Sequence, residues 1–150
     1  MKILFICMAN IVRSFMAERI LKGKLDKINR KDVDVFSAGL IDMDGMPADP
    51  IAAGILSDHG FEGTDHHAQL LTEDMISLAD MIIVMENIHR KMIIDQFPDA
   101  AEKISLLKSF SRDYSDAFED IRDPYKLTMY HYRLCFSEIY FSIEGLVKCI

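Results

Sequence analysis

Apolar and polar positions follow two rhythms along the chain. Ile3 to Ile6 is an unbroken apolar run, the pattern of a strand covered on both faces, predicted over Met1 to Ile6. From Ser14 the spacing changes. Ala17, Ile20, Leu21, Leu25 and Ile28 recur at helical intervals, with Glu18, Arg19, Lys22 and Lys24 between them. Val33 to Phe36 reads as a second strand, stopped at Ser37-Ala38-Gly39. Asp49 and Pro50 then open a helix as N-cap and first-turn residue; Ile51, Ala52, Ile55 and Leu56 form its stripe and Gly60 ends it. Thr72 with Glu73 and Asp74 marks another helix start, and Met81 to Met85 is the clearest strand in the chain. Asn87 caps a helix that stops before Phe97-Pro98, and Ile104 to Leu107 makes a fourth strand. A loop rich in Ser and Asp follows, from Ser109 to about Pro124. Tyr132, Phe136, Ile139, Tyr140, Ile143, Leu146 and Val147 then draw a last helical stripe.

Strands separated by helices imply an α/β fold in three layers: a four-stranded parallel sheet with helices on both faces. In such sheets ligands sit beyond the carboxyl ends of the strands. Cys7 lies at such an end. No repeat or linker interrupts residues 1–150, a length that suits one domain with a single sizeable core.

Composition narrows the functions. Half the residues are hydrophobic and 27% are charged, as in an ordinary globular protein. The net charge of -7 argues against nucleic-acid binding, which relies on clustered Lys and Arg. A phosphate ester is still admissible, because one local nest of amides can hold it against an acidic background. Lys2 and the apolar run after it imitate a secretion signal, but Asn10 and Arg13 interrupt the run and no small-residue cleavage site follows. No stretch approaches the ~20 apolar residues of a membrane span. Three widely spaced cysteines, Cys7, Cys135 and Cys149, suit a reducing cytoplasm better than a disulfide framework.

The stretch CMANIVRS, residues 7–14, carries the candidate chemistry. A tight loop between the first strand and the helix near Ser14 turns the backbone N–H groups of Met8, Ala9, Asn10, Ile11 and Val12 inward. The helix adds its own unpaired amides and positive dipole end. Such a nest fits a tetrahedral dianion. Asn10 suits a left-handed backbone position, and Arg13 offers a planar fork for two phosphoryl oxygens. The same field favours Cys7 as a thiolate, to which Ser14 can donate a hydrogen bond, and that thiolate could attack phosphorus in line. Taken alone, the spacing C-x5-R is equally compatible with a buried Cys and a surface Arg. The leaving group needs a proton. Asp123, in Asp123-Pro124-Tyr125, is the candidate acid, with Tyr125 able to line a wall against a substrate ring; a plain Asp-Pro turn is the alternative.

Further blocks extend the pattern: MAE after the loop, SAG at 37–39, PADP at 47–50, HHAQLLT at 66–72, ADMIIVME at 79–86 and DPY at 123–125. In this order they resemble the low-molecular-weight protein tyrosine phosphatases through nearly the whole chain. The resemblance implies Cys7 as nucleophile, with Arg13 and the loop amides on the phosphate. It implies that Ser14 steadies the thiolate and that Asn10 holds the loop's shape, with His66 as its partner. Asp123 would be first general acid and then general base, and Tyr125 would flank the ring. It implies phosphotyrosine-containing proteins as substrates, inorganic phosphate as product, no cofactor, no metal, and a monomer.

The chain also departs from the family pattern. Ala9 stands for a common Gly, Val12 for a Cys that can shield the nucleophile, Phe15 for a Pro, Met43 for an aromatic wall, Gln69 for an Arg and Glu86 for an Asp. Three rivals follow. An arsenate reductase on the same fold would need further cysteines near the site; a phosphate-binding module would hold the dianion without turnover; a phosphoarginine phosphatase would be expected to carry Thr where Ile11 stands. His59, His67, His89 and His131 lack metal spacing and read as surface or helix-end residues. Cys135 reads as a small hydrophobe and Cys149 as an inert terminal residue, while Met8 and Met43 fall near the mouth.

Overall fold

The first apolar run becomes the inner strand β1 (Lys2–Cys7) in the computed structural model, which describes residues 1–112 and 119–150. Ile3, Phe5 and Cys7 enter one core while Leu4 and Ile6 enter another on the opposite face, which is why no polar residue breaks the run. β1 pairs in parallel with β2 (Asp34–Gly39) on one side and β3 (Met81–Val84) on the other; β4 (Ile104–Leu106) pairs with β3. The order is β2-β1-β3-β4, four parallel strands as the pattern implied.

Helices cover both faces. α1 (Arg13–Lys27), α2 (Pro50–Asp58) and α5 (Met129–Val147) bury their stripes with Ile3 and Phe5; α3 (Glu73–Leu78) and α4 (Asn87–Gln96) bury theirs with Leu4 and Ile6. Because β1 has β2 on one side and β3 on the other, its carboxyl end is the point where the winding reverses, and a crevice opens there. Among the described residues, no helix is long and apolar enough to cross a membrane.

Several boundaries differ from the sequence expectation, each for a local reason. β2 runs through Ser37-Ala38-Gly39 instead of stopping before it, because Ala38 and Gly39 pair with Ile6 and Cys7. Their smallness serves proximity: a Cβ on Gly39 would come within 3.0 Å of Ala9 C and Met8 O. Glu86, not Asn87, caps α4, through a box in which Glu86 and His89 each bond the other's backbone N–H. Ile28 is a C-cap residue facing solvent, and Ile51 on α2 is also exposed. Met85 and Leu107 are buried just past the ends of β3 and β4, and Leu107–Phe110 coils into a 3-10 turn. The loop expected from Ser109 to Pro124 lies partly outside the described residues. Asp49 caps α2 with Pro50 behind it, and Thr72 caps α3, both as read.

Candidate active site

The loop between β1 and α1 is shaped by where its carbonyls go. Cys7 O accepts from Leu40 N, Met8 O from Leu40 N and Ile41 N, and Ile11 O from Asp49 N; Val12 O begins the α1 ladder with Met16 N. Asn10 O accepts from His66 Nε2 at 2.6 Å. With these carbonyls tied outward, one loop amide, Asn10 N, points at Cys7 Sγ at 3.3 Å. Asn10 makes the turn at φ +60°, the left-handed region that Asn tolerates.

A buried hydrogen-bond chain fixes the direction of the proton nearest the thiol. Asn10 Oδ1 accepts from Gln69 N at 3.0 Å, so its amide nitrogen faces the other way and donates to Ser14 Oγ at 2.8 Å and Ser37 Oγ at 2.9 Å. Ser37 passes its own proton to the Glu18 carboxylate, which only accepts. Ser14 Oγ, already accepting from Asn10, has its proton free for Cys7 Sγ at 3.0 Å. Sulfur therefore takes donors from Ser14 and from a loop amide. Glu18 is itself bridged by Lys22 on the next turn of α1. Neither Glu18 nor Ser37 was visible as a site residue in the sequence.

Arg13 is the most enclosed charge in the site, at 2% exposure. Nη1 donates to Ile121 O at 2.8 Å and meets Glu86 Oε2 at 2.9 Å, while Nη2 lies 3.6 Å from Asp123 Oδ2. Burial works against the cation, but Cys7, Glu86 and Asp123 outweigh it and hold the guanidinium above its ordinary pKa. Asp123 is half exposed, and its Oδ1 accepts from Tyr125 N at 3.1 Å. The Asp-Pro turn is thus real, and it also delivers the carboxylate to the site. Cys7, Arg13, Asp123 and Tyr125 converge on one pocket of about 220 Å³, whose remaining lining includes Met8, Ala9, Ile11 and Val12 from the loop and Ile41 and Met43 beyond β2. A larger hollow of about 390 Å³, between Lys108 and α5, shares none of these residues, so volume alone does not locate the chemistry.

The departures find physical accounts. Phe15 is fully buried and its ring packs on His66 at 4.5 Å between centroids, bracing the histidine that holds Asn10. Burial lowers the His66 pKa, which keeps the ring neutral, with its Nε2 proton on Asn10 O. Gln69 supports the loop through its backbone N–H and donates its side-chain amide to Ser37 O at 2.8 Å. Glu86 spans the gap to Arg13. His89 lies in the first turn of α4, a helix end as read, but it is fully buried and not at the surface. The spacing Glu86-x-x-His89, a capping-box interval just past a strand end, was the signal available for it. His59, His67 and His131 are exposed as expected.

A thiol that takes donors from Ser14 and a loop amide, and shares its pocket with a guanidinium and a carboxylate, is equipped for one kind of work. It can receive a phosphoryl group on sulfur, and that places the chain among the thiol-dependent phosphatases. Comparison narrows the class. The description of low molecular weight phosphotyrosine protein phosphatases matches residues 2–150. A probable low molecular weight protein-tyrosine-phosphatase, AmsI of Erwinia amylovora, is 36% identical over 146 residues, 97% of this chain and 92% of its own. A protein-arginine-phosphatase of Geobacillus stearothermophilus is 32% identical over 147 residues, covering 98% and 94%. The crystal structure of a low molecular weight protein tyrosine phosphatase from T. tengcongensis matches with a TM-score of 0.91 at 31% identity, over 100% of this chain and 99% of that one. The chain belongs to the low molecular weight phosphotyrosine protein phosphatase family.

Proposed function

We propose that the chain hydrolyses phosphotyrosine in proteins, working as one monomeric domain over residues 1–150 in the reducing cytoplasm. The observation that carries the reading is the shared pocket: sulfur, guanidinium and carboxylate meet in it, and apolar side chains wall it. The loop amides and Arg13 bind the phosphoryl oxygens. Cys7 attacks phosphorus, the bond to the tyrosyl oxygen breaks, and Asp123 gives that oxygen its proton. Water then attacks the phosphocysteine while Asp123 takes a proton from it, and inorganic phosphate leaves with the thiolate restored. Tyr125 flanks the ring, His66 and Asn10 keep the loop in shape, and no metal or cofactor takes part.

Phosphoarginine is the competing substrate, and a relative that carries that name makes it a serious one. Ile11 speaks for the aryl ester, because it presents only apolar bulk to the pocket where a hydroxyl could engage a guanidinium phosphate. Matched phosphotyrosine and phosphoarginine peptides are expected to differ in kcat/KM by at least roughly tenfold in favour of phosphotyrosine. The reverse order would transfer the assignment to phosphoarginine.

Oxidation provides a second check. Cys7, Cys135 and Cys149 are all free thiols, and Cys135 lies in the same core as Cys7. Burial pushes the Cys135 thiol far above its ordinary pKa, although Arg13 pulls the other way. A thiol held protonated does not attack a sulfenic acid readily. Peroxide is therefore expected to inactivate the enzyme by oxidising Cys7 itself, with no rapid internal disulfide. Mass spectrometry that found Cys7 joined to Cys135 or Cys149 as the main product would refute this.

A further inference from the structure

We propose that His89 is a positioning residue for phosphate binding, acting by holding the Glu86 carboxylate on Arg13. The inference rests on Arg13 being the phosphate-binding group in the reading above. His89 is fully buried, and no step of the reaction touches it. A buried imidazole is costly unless both ring nitrogens are used. Here both face one residue. Nδ1 accepts from Glu86 N at 3.2 Å, so the proton sits on Nε2, which lies 3.1 Å from Glu86 Oε2. The contact is not a hydrogen bond, but Nε2 has no other partner among the described residues, so that carboxylate is the charge its N–H faces at close range.

The oxygen it faces is the one that meets Arg13 Nη1 at 2.9 Å. Imidazole, carboxylate and guanidinium thus form a line from the first turn of α4 to the anion loop. The charged groups around the ring are Glu86, Arg13, Asp120 and Asp123. Burial first, and Arg13 next, keep the ring neutral down to a pKa of about 4. Neutrality matters to the device. An imidazolium would compete with Arg13 for the carboxylate, whereas a neutral N–H orients the carboxylate and leaves its charge to the guanidinium.

The alternative is that His89 only caps α4. His89→Leu separates the two roles by readout: it removes both ring nitrogens, so a cap alone would cost stability and leave phosphate affinity unchanged, whereas loss of the N–H that faces the carboxylate weakens phosphate binding. Calorimetry with inorganic phosphate is expected to show a roughly tenfold weaker Kd, with KM for an aryl phosphate raised by a similar factor and kcat changed much less. Combined with Glu86→Gln, the substitution is expected to add nothing further to the loss. His89→Phe, which also lacks both nitrogens but keeps a ring of similar size, serves as the second variant if the first does not fold. Unchanged phosphate affinity in a folded variant, or a loss fully additive to that of Glu86→Gln, would overturn the role of His89. A wild-type protein that binds no phosphate would instead overturn the functional reading on which it stands.

Discussion

Cys7→Ser is expected to bring turnover to zero while phosphate or vanadate still binds within a few-fold of the wild-type affinity. A hydroxyl at this place lacks the thiolate's readiness to attack phosphorus. The anion's own partners remain: Arg13 stays anchored by Ile121 O and Glu86, and the loop carbonyls stay tied outward. Steady-state kinetics read the first effect and calorimetry the second. A folded variant that no longer holds the anion would show that the loop depends on sulfur for its shape, against the account given above.

The second large effect falls on Asp123. If this carboxyl protonates the leaving oxygen, Asp123→Asn should slow phosphotyrosine, whose leaving group is basic, by ~10²–10⁴-fold. A nitrophenyl phosphate needs far less help, so the burst that reports phosphocysteine formation should be nearly spared, while hydrolysis of the intermediate slows for both substrates. The position supports the role: half exposed at the pocket, 3.6 Å from Arg13 and fixed by the turn to Tyr125 N. Equal small effects on both bursts would leave Asp123 a turn residue. The acid would then be sought among Asp113, Asp116, Glu119 and Asp120. Asp113 and Asp116 lie outside the described residues, and the Asp120 carboxylate is already engaged by Asn87 N.

What could be read from the chain in advance was whatever a residue type declares by itself. The β1 run, the Asp49-Pro50 and Thr72 helix starts and the α5 stripe depend on local pattern, and they appear where the pattern put them. The Cys7 to Ser14 stretch was legible for the same reason, since thiol, guanidinium fork and left-handed turn share one loop. Legibility ended where a residue's meaning depends on what lies across the fold. Ser37-Ala38-Gly39 looked like a stop because small residues often end strands; here they let β2 pass beneath the loop. His89 was read correctly as a helix-end residue, but its burial was hidden because nothing near it in sequence announces Arg13 on the far side of Glu86. Glu18 read as the polar side of a helix, and only the approach of β2 turns it toward Ser37.

One consequence of the outward-tied carbonyls concerns what leaves the enzyme. A receptor whose donors are set during folding spends nothing on rearranging when its guest arrives. On the proposed reading those donors see only oxygen on phosphorus, so the freed product would satisfy them as fully as the ester did. Preference for incoming substrate must therefore come from the rest of the hollow. Met8, Ile11, Ile41, Met43 and Tyr125 offer surface that an aryl group covers and a bare phosphate cannot. On that reading the polar half of the cleft would hold ester and phosphate alike, and the apolar half would tell them apart.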